Sequence, residues 1–402
     1  MTRSCTAKPD VHSLKLRALV LAVASCFVPH ALANPTGPTV VNGTVNFVTN
    51  GNTLNITNTP GSIINWQQFN IQQNELTRFL QQNSQSTVLN RITGQDPSQI
   101  FGQLQSNGKV LLLNPNGVVF GPNASVDVFG LVASSLNLTD ADFLANRYYF
   151  DSGSRTAGAG SVLNQGSITT PVGGSVYLVG GNLTNSGIIT SPQGQVLLAA
   201  GNAVTLADTA TPAMNVTLSA TNNQAVNLGT ISAAGGSIDI YGALVNQQGA
   251  LNADSASVDA QGRITLKATD TTTVSGTISA TNSQGAGGNV QVLGDKVTLT
   301  STSSIDASGA TQGGTVLVGG DWQGKNAAVQ NATTTDVNAG ANIKADATDA
   351  GNGGKVVVWA DDKTTFDGSI SAKGGANAGD GGNVETSGHM LSVAGTVNTL
   401  AL

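Results

Sequence analysis

The chain has 402 residues, among them 50 glycines, with 4% aromatic and 10% charged side chains and a formal net charge of −6. So few charges and rings exclude an ordinary helical globular protein of this length, and an acidic chain without a basic patch excludes nucleic-acid binding. Thr, Ser, Asn, Val and Ile fill much of the remainder and favour strands and turns, while recurrent Val/Ile clusters supply apolar surface that glycine-rich disordered chains lack.

Residues 1–33 have the layout of a secretory signal. Arg3, Lys8, Lys15 and Arg17 form a basic start, residues 18–28 an apolar stretch, and Ala31-Leu32-Ala33 a small-x-small cleavage site. Val23-Ala24-Ser25-Cys26 is a loose lipobox, but the length of the apolar stretch and the well-formed cleavage site favour ordinary cleavage. Removing the signal leaves 13 basic and 22 acidic side chains, a net charge of −9. Cys5 and Cys26 both lie inside it, so the mature chain has no cysteine. Exported proteins commonly use disulfides. Their absence suits a chain that crosses the outer membrane unfolded, and equally a long solenoid core that needs no staples. No later segment approaches the about 20 apolar residues of a membrane span.

Residues 40–80 read as capping strands that cover the end of a larger sheet. Two brief helices are expected next. One starts at Asp96 as N-cap with Pro97 in the first helical position, and the other follows Thr139-Asp140 through Phe143 and Leu144. Between them stand two apolar runs, Val110-Leu111-Leu112-Leu113 and Val118-Val119-Phe120, around Asn114-Pro115-Asn116-Gly117. Pro115 pre-sets a turn and pushes Asn114 extended, and Asn116 and Gly117 tolerate positive φ. This predicts two short buried strands joined by a tight corner.

This stretch resembles the Asn-Pro-Asn-Gly-Ile motif of the haemagglutination activity domain, which opens the secreted partner of bacterial two-partner secretion systems, the filamentous haemagglutinin family. The resemblance extends through Ser62-Ile63-Ile64-Asn65-Trp66-Gln67-Gln68-Phe69, Val88-Leu89-Asn90-Arg91-Ile92-Thr93-Gly94 and Asp96-Pro97-Ser98-Gln99-Ile100-Phe101-Gly102. It continues through Gly130-Leu131-Val132-Ala133-Ser134-Ser135 and ends near Asp142-Phe143-Leu144-Ala145-Asn146-Arg147-Tyr148, covering about residues 34–150. Val118 stands where the family usually has Ile, a small change at a buried strand position.

From about residue 160 the chain repeats. Asn164-Gln165-Gly166-Ser167-Ile168 returns 21 positions later as Asn185-Ser186-Gly187-Ile188-Ile189, and Gly174-Ser175-Val176-Tyr177-Leu178 returns 20 positions later as Gly194-Gln195-Val196-Leu197-Leu198. Gly229-Thr230-Ile231 and Gly249-Ala250-Leu251 are again 20 apart. At about 3.3 Å per strand residue, one period fits a coil of three short strands, a rung of an all-β, right-handed parallel β-helix with an N-terminal β cap. A propeller blade needs about 40 residues. Later repeats begin at Gly287, Gly313, Gly353 and Gly381, spaced 26, 40 and 28 apart, which implies rungs with insertions such as residues 321–336. Residues 381–402 read as part of a repeat that continues in relatives; of a short family member and a truncated chain, truncation is the favoured expectation. The domain reading is 1–33 signal, 34–280 secretion domain and 281–402 continuing repeats.

Catalytic chemistry is poorly supplied. Only His389 survives signal removal, which disfavours a zinc, copper or haem site and any nucleophile–His pair, so no metal and no cofactor is expected. Asp361-Asp362 after Trp359, with Asp380 and Glu385 nearby, is the best acidic candidate for a β-helix polysaccharide lyase or hydrolase. Adjacent strand residues point to opposite faces, so a solvated turn is the better reading. Gly351-Asn352-Gly353-Gly354 and Gly379-Asp380-Gly381-Gly382 lack the tandem array of calcium-binding nonapeptides and read as turns.

The resemblance implies a non-enzymatic exoprotein of a Gram-negative bacterium, exported by the Sec machinery through the periplasm. It also implies recognition by periplasmic domains of a cognate outer-membrane β-barrel transporter, and a secreted or cell-surface product that acts as an adhesin or haemagglutinin. In the family, the Asn114, Pro115, Asn116, Gly117 motif and segments such as that around Asn90 are needed for recognition and secretion. Whether they touch the transporter or shape the fold stays open. A truncated carrier of a missing toxin or effector is the alternative, a β-helix carbohydrate enzyme a third. The receptor is not legible.

Overall fold

A computed structural model describes residues 34–153, 159–207 and 215–401; the signal segment 1–33 with both cysteines lies outside them. Residues 33–402 form one compact unit. Its strands stack as a parallel β-helix in which each coil bonds to the coil before and the coil after. Ser175–Gly180 pairs in parallel with Ser125–Ser134 on one side and with Gln195–Ala200 on the other.

The repeats read from sequence are successive coils in register. Asn164 faces Asn185, Ile168 faces Ile189, Ser175 faces Gln195 and Thr230 faces Ala250. The looser spacings are also single coil steps, since Asn289–Leu293, Thr315–Val318, Lys355–Phe366 and Asn383–Val393 pair in that order. The longest spacing accommodates the insertion at 321–333, which carries a 3-10 turn at Trp322–Gly324. Thr277–Ser279 pairs with Ser304–Asp306, so coiling continues across residue 280.

Alternation sends one column of branched side chains inward. Val110, Leu131, Val176, Val196, Ile238 and Ile264 are partners in successive coils, all fully buried. Some coils are apolar on both faces. Leu111, Leu113, Leu197 and Ala199 point outward yet are buried, in a second cluster with Phe143, Phe150, Val204 and Leu206. The cover comes from the helix Asp140–Leu144 and an antiparallel sheet of Tyr148–Asp151, Ala203–Ala207 and Asn215–Ser219. An uninterrupted apolar run such as residues 110–113 is the sequence mark of a strand buried on both faces.

Two local expectations change. The antiparallel cap is shorter than residues 40–80: Thr39–Asn42 pairs with Ser62–Trp66 and Val45–Asn50 with Thr53–Asn58, both antiparallel. Thr53–Asn58 and Ser62–Trp66 themselves already pair in parallel with Leu76–Leu80 and Thr87–Ile92, as the first coil. No helix starts at Asp96. Ser98–Ile100 is a strand whose ends are buried, paired with Val118–Phe120. The alternating burial of Ser98 and Ile100 inside a coil outweighs the Asp-Pro start signal. The second helix forms as expected, with Thr139 as N-cap accepting from the Asp142 amide.

One carboxyl lies in the covered outer face. Asp239 is 1% exposed and accepts from Arg263 Nη2 at 3.0 Å. Burial pushes its carboxyl above the usual range against the opposing pull of the Arg263 guanidinium. With the folded value above the unfolded one, the folded state holds the proton more tightly, so ionisation costs stability above the folded value and that cost fades as pH falls through it. Asp239→Asn should therefore exceed the wild type in urea midpoint at neutral pH, with the gap shrinking toward the ordinary carboxylate range. A gap constant with pH would contradict this. Leu198, fully buried between Leu178 and Ile240, should cost about 2–5 kcal/mol when changed to Ala, read as a lowered urea midpoint.

Candidate functional site

The turn Asn114-Pro115-Asn116-Gly117 joins the strands Gln103–Leu113 and Val118–Phe120, as the sequence implied. Asn114 is completely buried, so both ends of its amide need partners. Its Nδ2 donates to the Asp96 carbonyl at 2.9 Å and to Ser98 Oγ at 3.1 Å. Its Oδ1 accepts from the Asn116 backbone amide at 2.9 Å and from Asn116 Nδ2 at 3.2 Å, the pattern of an Asx turn. Asn116 Nδ2 also donates to the Gly94 carbonyl at 3.0 Å. The two asparagines thus bind the corner to residues 94–98 of the preceding coil.

Gly117 takes the one positive φ of this turn, 118°, while Asn116 does not. A Cβ at Gly117 would lie 2.9 Å from the Ser161 carbonyl oxygen of the following coil. Gly160 donates to the Pro115 carbonyl at 3.1 Å from that same coil. The motif is therefore held between two coils, and only Pro115 and Asn116 are partly exposed.

Asn90 serves a different contact. It is fully buried, in register with Ile64 and Leu112 of the core. Trp66 Nε1 donates to its Oδ1 at 3.0 Å, and its Nδ2 donates to the Leu111 carbonyl at 3.2 Å. One side chain so ties three successive coils. Trp66, Gly94 and Ser98, which stand in the segments that carry the family resemblance without a role of their own, and Gly160 complete these contacts. Their signal is the coil step itself, obscured before residue 150 by unequal coil lengths.

The acidic candidates are committed or solvated. Asp361 accepts from Trp359 Nε1 at 2.9 Å and from Asn331 Nδ2 at 3.0 Å. Glu385 accepts from the Gln323 amide at 2.9 Å. A register shift between Ala360 and Lys363 breaks the strand alternation, so Asp361 and Asp362 are both exposed rather than on opposite faces. Asp380 and His389 are exposed as well.

Asn114→Ala would strip a partner from the Asp96 carbonyl, Ser98 Oγ and the Asn116 amide, at about 1–3 kcal/mol for each buried group left unsatisfied. Asn90→Ala should resemble it. Asn116→Ala, half-exposed, should cost about 1 kcal/mol. Urea midpoints in that order would support the assignment; an Asn114→Ala midpoint equal to wild type would refute it.

Comparison with known proteins places this geometry. The TPS secretion domain family matches residues 31–292. The fold is similar to the crystal structure of the HMW1 secretion domain from Haemophilus influenzae, with a TM-score of 0.85 and 39% identity, covering 92% of this chain and 100% of that one. A 131-residue segment is 38% identical to a heme/hemopexin-binding protein of Haemophilus influenzae, strain Rd, covering 32% of this chain but 14% of that protein. A second heme/hemopexin-binding protein from Haemophilus influenzae is 40% identical over 87 residues, 22% of this chain and 9% of that protein. The family match over residues 31–292 and the likeness in fold and sequence to a secretion domain show that the chain belongs to the TPS secretion domain family and is a two-partner secretion exoprotein.

Proposed function

We propose that residues 34–280 are the unit recognised by periplasmic domains of a cognate outer-membrane β-barrel transporter, after Sec export and removal of residues 1–33. The family implies such a transporter in general. Asn90 and Asn114–Gly117 serve export by shaping the first coils rather than by touching the transporter. The observation that carries this is that the amides of Asn90 and Asn114 are fully buried and bonded to neighbouring coils. The exported solenoid then acts as a non-enzymatic adhesin at or near the cell surface. Support comes from relatives that are secretion domains and heme/hemopexin-binding proteins.

The test is secretion with and without the transporter, read in medium and periplasm, together with pull-down of the urea-unfolded chain by the transporter's periplasmic domains. Wild type should reach the medium only with the transporter. Asn114→Ala should be captured like wild type yet accumulate several-fold less in the medium. Loss of capture by the unfolded variant would instead make Asn114 a contact residue and overturn the folding role.

A further inference from the structure

A groove of about 670 Å³ runs along the outside of the solenoid, away from the Asn114 corner's bonding partners. Its floor is made of stacked turns. Gly174, Gly194 and Gly236 occupy equivalent places in successive coils, and a Cβ at Gly194 or Gly236 would lie 2.1 Å from a carbonyl oxygen of the coil before. Close stacking thus requires glycine here, and it leaves the backbone of Gly194 and Gly236 partly exposed along the groove. Register partners Ser175, Gln195, Ser237, Arg263 and Asn289 line one side. Coils are about 4.8 Å apart, so this row extends about 19 Å along the axis.

The lining is rich in amides and carries two aromatic rings, with Lys109, Arg263 and Asp259 as its charged groups. Gln85, Gln193, Gln195, Gln261 and Asn289 face the groove, with Tyr177 and Phe129 beside them. Tyr177 donates its hydroxyl to Gln195 Oε1 at 2.8 Å, and the buried Asp239 holds Arg263 from beneath, so the polar wall is pre-set. Gln193 is also out of keeping with its surroundings. It has a φ of 49°, at the turn position where the neighbouring coils place Gly173 and Gly235 with φ of 77° and 69°. A side chain kept in the left-handed region where glycine serves next door points to a use for that amide.

We propose that this groove binds a linear, uncharged oligosaccharide laid along the solenoid axis. Side-chain amides donate and accept at once and so match the paired hydroxyls of sugars, and an aromatic ring offers a flat apolar face to a sugar's C–H side. A peptide strand is a poorer fit, because the main chain of the lining strands is already paired on both sides and offers no edge. A polyanion is a poorer fit too, since the lining cations are offset: Arg263 is engaged by Asp239, and Lys109 shares the groove with Asp259. The site deepens the adhesin half of the proposed function and is independent of the secretion half, so the two fail separately.

The experiment is calorimetric titration of the purified chain with cellohexaose, chitohexaose, maltohexaose and xylohexaose, and with a hyaluronan hexasaccharide as the anionic comparison. At least one neutral probe should bind, and binding should persist in high salt, which screens ionic contacts. Gln193→Gly with Gln261→Ala, both at exposed positions, should weaken it by at least about tenfold without lowering the thermal midpoint. No binding of any neutral probe, undiminished binding by the double variant, or binding of hyaluronan alone that salt abolishes would each overturn the proposal. Normal transporter-dependent secretion alongside such a failure would leave the export reading intact.

Discussion

The structure depends on the main-chain hydrogen bond between one coil and the next. A strand such as Asn164's, Ser161–Asn164, finds no partner within its own coil; it pairs with Val118–Phe120 before it and Asn182–Asn185 after it. Buried peptide groups must be paired, so no coil is stable without a neighbour to pair with. The first coil escapes this by local means. Val45–Asn50 and Thr53–Asn58 form a hairpin whose halves meet across a short turn, the pairing with the least loop entropy to overcome. Trp66 then joins the cap to the coils, edge-on to Phe47 at 5.6 Å and to Phe69 at 5.5 Å while bonding Asn90.

The same constraint explains why amides sit inside the corners. At a corner the ladder is interrupted and its polar groups need substitutes. Where coils are regular, amides supply a ladder of their own: Asn164 donates to Asn185 at 2.7 Å, Asn185 to Asn227 at 2.7 Å and Asn227 to Gln247 at 2.8 Å, all fully buried. Where coils are unequal, as before residue 150, corners do not align. There Asn114 and Asn116 reach individual carbonyls at Asp96 and Gly94. The Asn114–Gly117 corner and the later amide ladder are thus the same chemistry at two degrees of regularity.

This difference decides what the sequence makes legible. Equal coils of about 20 residues announce themselves, because inward Val and Ile and corner Gly and Asn recur at fixed steps, and the later coils are readable despite their insertions. The early coils were recognisable through the family motif but not by period. Asp96-Pro97 carries a helix start signal that a packed strand overrules. The outer sheet was foreshadowed by Val110-Leu111-Leu112-Leu113, since such a run needs cover on both faces, but its partners near residues 150 and 204 are not visible in the run itself. The groove could not be read at all. Gln85, Gln193 and Gln261 are far apart in sequence, and only coil register brings them to one face.

For a chain exposed from one end, order along the chain is also order of assembly. A coil templated by its predecessor gains its apolar burial only once that predecessor is in place, so a chain emerging from its N-terminus folds in the order it emerges. The individually fitted cross-coil ties, Trp66 to Asn90 and Asn114 to Asp96 and Ser98, lie in the coils that would emerge first. An error there propagates, because every later coil inherits its register from the one before, and a shift by one residue would turn each inward Val or Ile toward solvent. A defect in a late coil has fewer dependants. Buried, individually fitted asparagines at the start and a repetitive ladder afterwards are what a one-directional assembly requires: specificity where register is set, and economy of pattern where it is merely copied.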